Sequence, residues 1–182
     1  MPRVLRKFGL TAHLAFSLGW FGAVACFLAL SIAGVTSRDA DTMRAAYLAM
    51  AIIGWFVIVP FSFGSLASGV AQALATPWGL FQHYWIVLKG VVALVATALL
   101  LAHMQPTTRL AETALQGAPD AGLQIRLLAN AAAATFVLLV AIMLGVFKPK
   151  GRIGEDVPRW LKAMTLPAVA LVAAFGLLHR LV

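Results

Sequence analysis

Residues 83–103 read HYWIVLKGVVALVATALLLAH, an apolar run that holds one lysine, Lys89, and is closed at its ends by His83 and His103. A helix that crosses a bilayer needs about 20 predominantly apolar residues, and this run supplies them. Lys89 and His103 are fourteen residues apart. At about 100° and 1.5 Å per residue they return to within roughly 40° of one helix face, roughly 21 Å apart along the axis. One face therefore carries two candidate ligand groups, one in each leaflet. An ionisable group inside a membrane span is costly and marks a functional-site hypothesis whose partner must be named. His13 is the expected partner of Lys89, and His179 of His103.

The rest of the chain has the same character. Of its 182 residues 62% are hydrophobic and 11% charged, and the apolar runs are too long for a soluble core. The expected fold is all-α: one polytopic membrane bundle over 1–182 with five spans, about 8–35, 45–75, 83–103, 127–147 and 161–181. The first run follows Arg3, Arg6 and Lys7 and exceeds the roughly 7–15 residues of a signal-peptide core, so it reads as a retained span. In the second, Pro60 is followed by Ser62, Gly64, Ser65, Ser68 and Gly69, small residues that admit another helix, or a flat cofactor, close to the backbone. Pro77 and Gly79 mark a short turn. Residues 104–126 read as a polar connection broken at Pro106 and Pro119, with a weak signal for a surface helix over 107–116.

The net charge of +8 sits at the ends of apolar runs, as the positive-inside rule requires, so a membrane accounts for it without nucleic acid. With the N-terminus inside, inner segments carry eight basic residues and outer ones five, which favours N-in and C-out. His13, His83 and Lys89 then lie toward the cytoplasmic leaflet, and His103 and His179 near the outer surface. The single cysteine, Cys26, excludes an intrachain disulfide and a cysteine zinc cluster and reads as a buried thiol.

Each candidate has a plainer reading. Lys89, two turns into its run, can snorkel to the interface; His83 stands beside Tyr84 and Trp85 in an aromatic belt; His103 and His179 lie at membrane ends. His13, inside an apolar run, is the hardest to explain as packing.

His13 followed by Trp20-Phe21-Gly22, after a basic start, resembles the first helix of the non-flavin membrane protoporphyrinogen IX oxidases. Trp85 to Lys89 and the aliphatic stretch to His103 resemble a later helix of that family. The resemblance implies haem b held by His13 and Lys89. The lysine-to-histidine spacing is nearly one turn longer here, and the Pro-Arg pair of the family's first-helix motif is absent after Trp20. The segment Phe147-Lys148-Pro149-Lys150-Gly151-Arg152 resembles the loop before the last span of an uncharacterised bacterial integral-membrane family, related to the oxidases and to copper-resistance D-like proteins. This likeness implies the inner (plasma) membrane and brings no established activity.

Three functions follow as expectations. The first is a haem b or porphyrin-linked redox or electron-transfer protein, with Lys89 or His83 opposite His13 and a second site at His103 and His179. The second is copper handling at His103, Met104 and His179. The third is a cofactor-free structural or assembly subunit. Partners are the bilayer, a redox protein or a porphyrin, and a homo-oligomer is compatible with all three. The absence of a nucleophile–base set, phosphate loop or carboxylate pair excludes classical hydrolytic and kinase chemistry; whether the chain is an enzyme stays open.

Overall fold

The computed structural model describes residues 3–76, 79–117, 119–154 and 163. The fifth expected span, apart from Ala163, and His179 lie outside them. The described chain forms four long helices: α1 (Arg3–Thr36), α2 (Ala40–Ala75), α3 (Tyr84–Leu115) and α4 (Ala121–Phe147). Each is long and apolar enough to cross a membrane. Short connections make successive helices antiparallel. α1 and α3 each pack on both α2 and α4, which closes an up-down-up-down ring of four.

The outside of this ring is apolar. Phe56 is 77% exposed and Phe136 56%, with Leu14, Leu18, Phe63 and Leu94 also outward. A surface of that extent suits hydrocarbon rather than water. The inside is built from two clusters. Trp20, Ala23, Val24, Ile58 and Leu138 form one, and Tyr47, Met50, Leu110, Ala111, Ala114 and Leu127 the other.

Three local features depart from the sequence reading. α3 does not stop near His103 but runs to Leu115. Met104, Thr107, Leu110, Ala111 and Ala114 are all buried, so an apolar stripe at helical spacing outweighs the proline at Pro106. The Thr107 and Thr108 hydroxyls donate to the carbonyls of His103 and Met104, at 2.8 and 3.1 Å, in the side-chain rescue common around prolines in such helices. Pro60 does not break α2 either. A π-turn at Gly54–Ile58 precedes it, with the Val59 N–H returning to Gly54 O, and the widened turn absorbs the proline. Cys26 is exposed, not buried: Trp20, Ala23 and Val24 define the inward face of α1, and Cys26 falls off that stripe.

The two ends of the bundle differ in charge. The end where α1 and α3 begin carries Arg3, Arg6, Lys7, Lys148, Lys150 and Arg152, and no acidic side chain among the described residues. The opposite end carries Arg38, Arg44, Arg109 and Arg126 with Asp39, Asp41, Glu112 and Asp120. At the basic end the loop after α4 is tied to the start of α3, where Ile153 N–H donates to Gln82 O at 3.1 Å and Tyr84 N–H to Gly151 O at 3.4 Å.

Close helix contact depends on Gly34. A Cβ there would come 2.5 Å from the Tyr47 ring, and Tyr47, fully buried, has no room to retreat. Gly34→Ala is expected to cost about 1–3 kcal/mol of overpacking. Gly90→Ala, in open space, should be neutral or gain up to about 1 kcal/mol of helix propensity. Thermal unfolding in detergent compares the two.

At the opposite end, of mixed charge, Asp39 caps α2, accepting from the Thr42 hydroxyl at 2.6 Å and the Thr42 N–H at 2.9 Å. The hydroxyl first, then the amide, hold its carboxyl below the ordinary 3.8. A carboxyl whose folded pKa is depressed stabilises the fold above its unfolded pKa, and that contribution is lost as pH falls through the folded value. Hydrogen exchange at the Thr42 amide, corrected for intrinsic rate, should therefore accelerate as pH drops below 3.8; Asp39→Asn should abolish this dependence.

Candidate functional site

His13 sits on α1 facing α2. Its ring packs against Gly69, where a Cβ would lie 3.1 Å from the imidazole Cε1. Around it is a ladder of hydroxyls. His13 Nδ1 is 3.0 Å from Ser68 Oγ, Ser17 Oγ is 3.5 Å from His13 Nε2, and Ser17 and Ser65 hydroxyls are 2.9 Å apart. One turn nearer the basic end, Gln72 donates its Nε2 to Gly9 O at 2.9 Å. The spacing explains the arrangement. His13 and Ser17 are four residues apart on α1, while Ser65, Ser68 and Gln72 are three and four apart on α2, so each set shares one helix face.

The hydroxyl of Ser68 fixes the imidazole tautomer. It has a single proton, and its Oγ lies 2.5 Å from Gly64 O, the usual back-bond of a helical serine. With its proton on Gly64 O it accepts toward His13, an arrangement that favours the imidazole proton on Nδ1. On that assignment Nε2 faces Ser17 Oγ at 3.5 Å, and the ring also bonds to the Ser65 backbone. A nitrogen oriented in this way is what a ligand or proton-accepting histidine requires.

Lys89 enters from α3, on the far side of the ring. It is partly buried and its Nζ lies against Gly145 of α4. The structure thus sets His13 and Lys89 at the same end of the bundle interior. His83 is the cap residue before α3 and is bridged through its backbone to Arg152, at the surface of the same end. His103 lies elsewhere, its Nδ1 donating to Leu99 O of its own helix at 2.6 Å. Met104 is in the core with its methyl and sulfur against Gly54. The described residues bring neither His103 nor Met104 to His13, and among them no three His, Cys, Asp or Glu side chains gather. Trp20, prominent in the sequence, is core packing. The serines were legible as a small-residue stripe; their role as partners of His13 follows only once the two faces are apposed.

Two observations bear on a haem. The donor set fits: an imidazole nitrogen with its tautomer fixed, faced by small residues, with an amine across the bundle. The adjoining cleft beside Ser68 and Gln72 has a volume of about 150 Å³, below the roughly 300 Å³ at which enclosed small-molecule pockets begin. That cleft by itself does not enclose a macrocycle.

Fold and site together define, among the described residues, a bundle of four membrane-length apolar helices with a polar centre at His13. Comparison with protein-family models, curated proteins and solved structures finds no match.

The serine ladder also joins α1 to α2. Ser68→Ala should lower unfolding free energy by about 0.6 kcal/mol, the average for a hydrogen bond between membrane helices. Gly69→Leu, which drives a branched side chain into the imidazole, should cost more. Equilibrium unfolding in mixed micelles measures both.

Proposed function

We propose that this chain is an integral protein of the cell's inner membrane, with the basic end of the bundle cytoplasmic and a fifth span following residue 154. Its kinship on this reading is with the bacterial integral-membrane group that includes the non-flavin protoporphyrinogen oxidases. The functional centre is His13, and its role is to ligate haem b or a related porphyrin in electron transfer. The observation that supports the reading is the His13 Nδ1 to Ser68 Oγ contact at 3.0 Å, with Ser68 bonded back to Gly64 O, which favours the proton on Nδ1 and leaves Nε2 for a ligand. A haem bound there would supply one-electron chemistry. The chain's own residues orient the imidazole through Ser68, present Ser17 beside Nε2, and set Lys89 opposite as second ligand or as a counter-charge to an anionic porphyrin edge.

One observation favours a second reading. The cleft is small, and the same serines serve as interhelical hydrogen bonds, which is all a cofactor-free structural or assembly subunit needs. Absorption spectra of detergent-purified protein, oxidised and dithionite-reduced, with metal analysis on the same sample, separate the two. The haem reading expects a Soret band with reduced α and β bands, lost in His13→Ala and in Lys89→Ala. Wild-type spectra in both variants would dismiss His13 and Lys89 as the residues that hold the haem. A featureless spectrum after growth with haem precursors would leave the structural subunit in place.

A further inference from the structure

The cleft between the first turns of α1 and the last turns of α2 has a use of its own. The helices run antiparallel there, so the lining is ordered along the membrane normal: Arg6 and Thr76 at the bundle end, Gly9 and Gln72 one turn in, Ala12 and Ala71 along its wall. The wall is almost entirely small and apolar. The mouth lies at the end where α1 begins, beside Arg6 and Lys7.

We propose that this cleft binds an anionic phospholipid, its phosphate on the Arg6 guanidinium and one acyl chain along the glycine–alanine wall. Guanidinium suits the task because its planar fork matches phosphate oxygens in pairs. An apolar wall below a cationic mouth, at the interface of a membrane helix pair, distinguishes a lipid from a free anion, which would have nothing to gain from the wall. Basic pockets between membrane helices recognise lipid headgroups in this way. The other cations of the same end add a field that attracts anionic lipid to the surface, but only Arg6 stands in the cleft. The deep end of the cleft reaches Ser68, the partner of His13, but the proposal needs no haem there.

The test uses full-length protein in nanodiscs of phosphatidylcholine, alone or mixed with phosphatidylglycerol, with retained lipid counted by native mass spectrometry. The wild type should retain phosphatidylglycerol in preference to phosphatidylcholine. Arg6→Gln should weaken that preference about fivefold, the effect of one basic side chain at an anionic surface. Lys150→Gln removes the same charge from the same end outside the cleft and should change it little. Ala12→Leu, which fills the wall, should abolish retention, and Arg6→Gln decides the matter if that variant does not fold. Equal losses in Arg6→Gln and Lys150→Gln would reduce the effect to diffuse surface charge and overturn the proposal, as would a wild type without preference.

Discussion

Hydrocarbon offers no hydrogen bonds, so every polar side chain placed between these helices must find its partner inside the protein. That constraint explains where the serines and threonines are. The hydroxyls of Ser62, Thr97 and Thr135 return to carbonyls of their own helices. Those of Ser17 and Ser65 meet across the α1–α2 contact, and that of Ser68 both returns to Gly64 O and meets His13 there. The ladder follows from the need to keep an imidazole satisfied in a low-dielectric interior, and it also decides which ring nitrogen carries the proton. Among the described residues only the hydroxyls of Ser31 and Tyr47 are buried without a protein partner.

Much of the architecture was legible in the primary structure because membrane helices are signalled by apolar length alone. Four of the expected spans appear as helices, each extended at one or both ends. The extensions were hidden for a physical reason. Hydropathy marks where a helix can sit in lipid, but the helix itself ends where capping and packing end it. Asp39 and Asp120 cap α2 and α4 several residues before the apolar runs start, and the Leu110–Ala111–Ala114 stripe carries α3 beyond its apolar run. Pro60 and Pro106 read as breaks because a proline removes one donor and clashes with the preceding turn. A π-turn and two threonine hydroxyls accommodate them here.

The site was legible in part. His13 stood out as a histidine inside an apolar run, and Lys89 lies toward the same end of the bundle with its Nζ against Gly145. The pairing of His103 with Met104 as metal ligands drew on adjacency in sequence, yet neighbours on a helix diverge by about 100°. Met104 turns into the core, and His103 bonds back along its own helix. The serine partners of His13 were visible as residue types and not as a network, because apposition of two faces is a property of the bundle.

The central claim is that His13 carries its proton on Nδ1 and presents Nε2 as the donor atom. Nitrogen-15 solid-state NMR on histidine-labelled protein in lipid, with His13→Asn to assign the signal, tests it directly. The account predicts a His13 resonance pair with Nδ1 protonated and Nε2 bare, and disturbance of that pattern in Ser68→Ala. A proton found on Nε2 would contradict it.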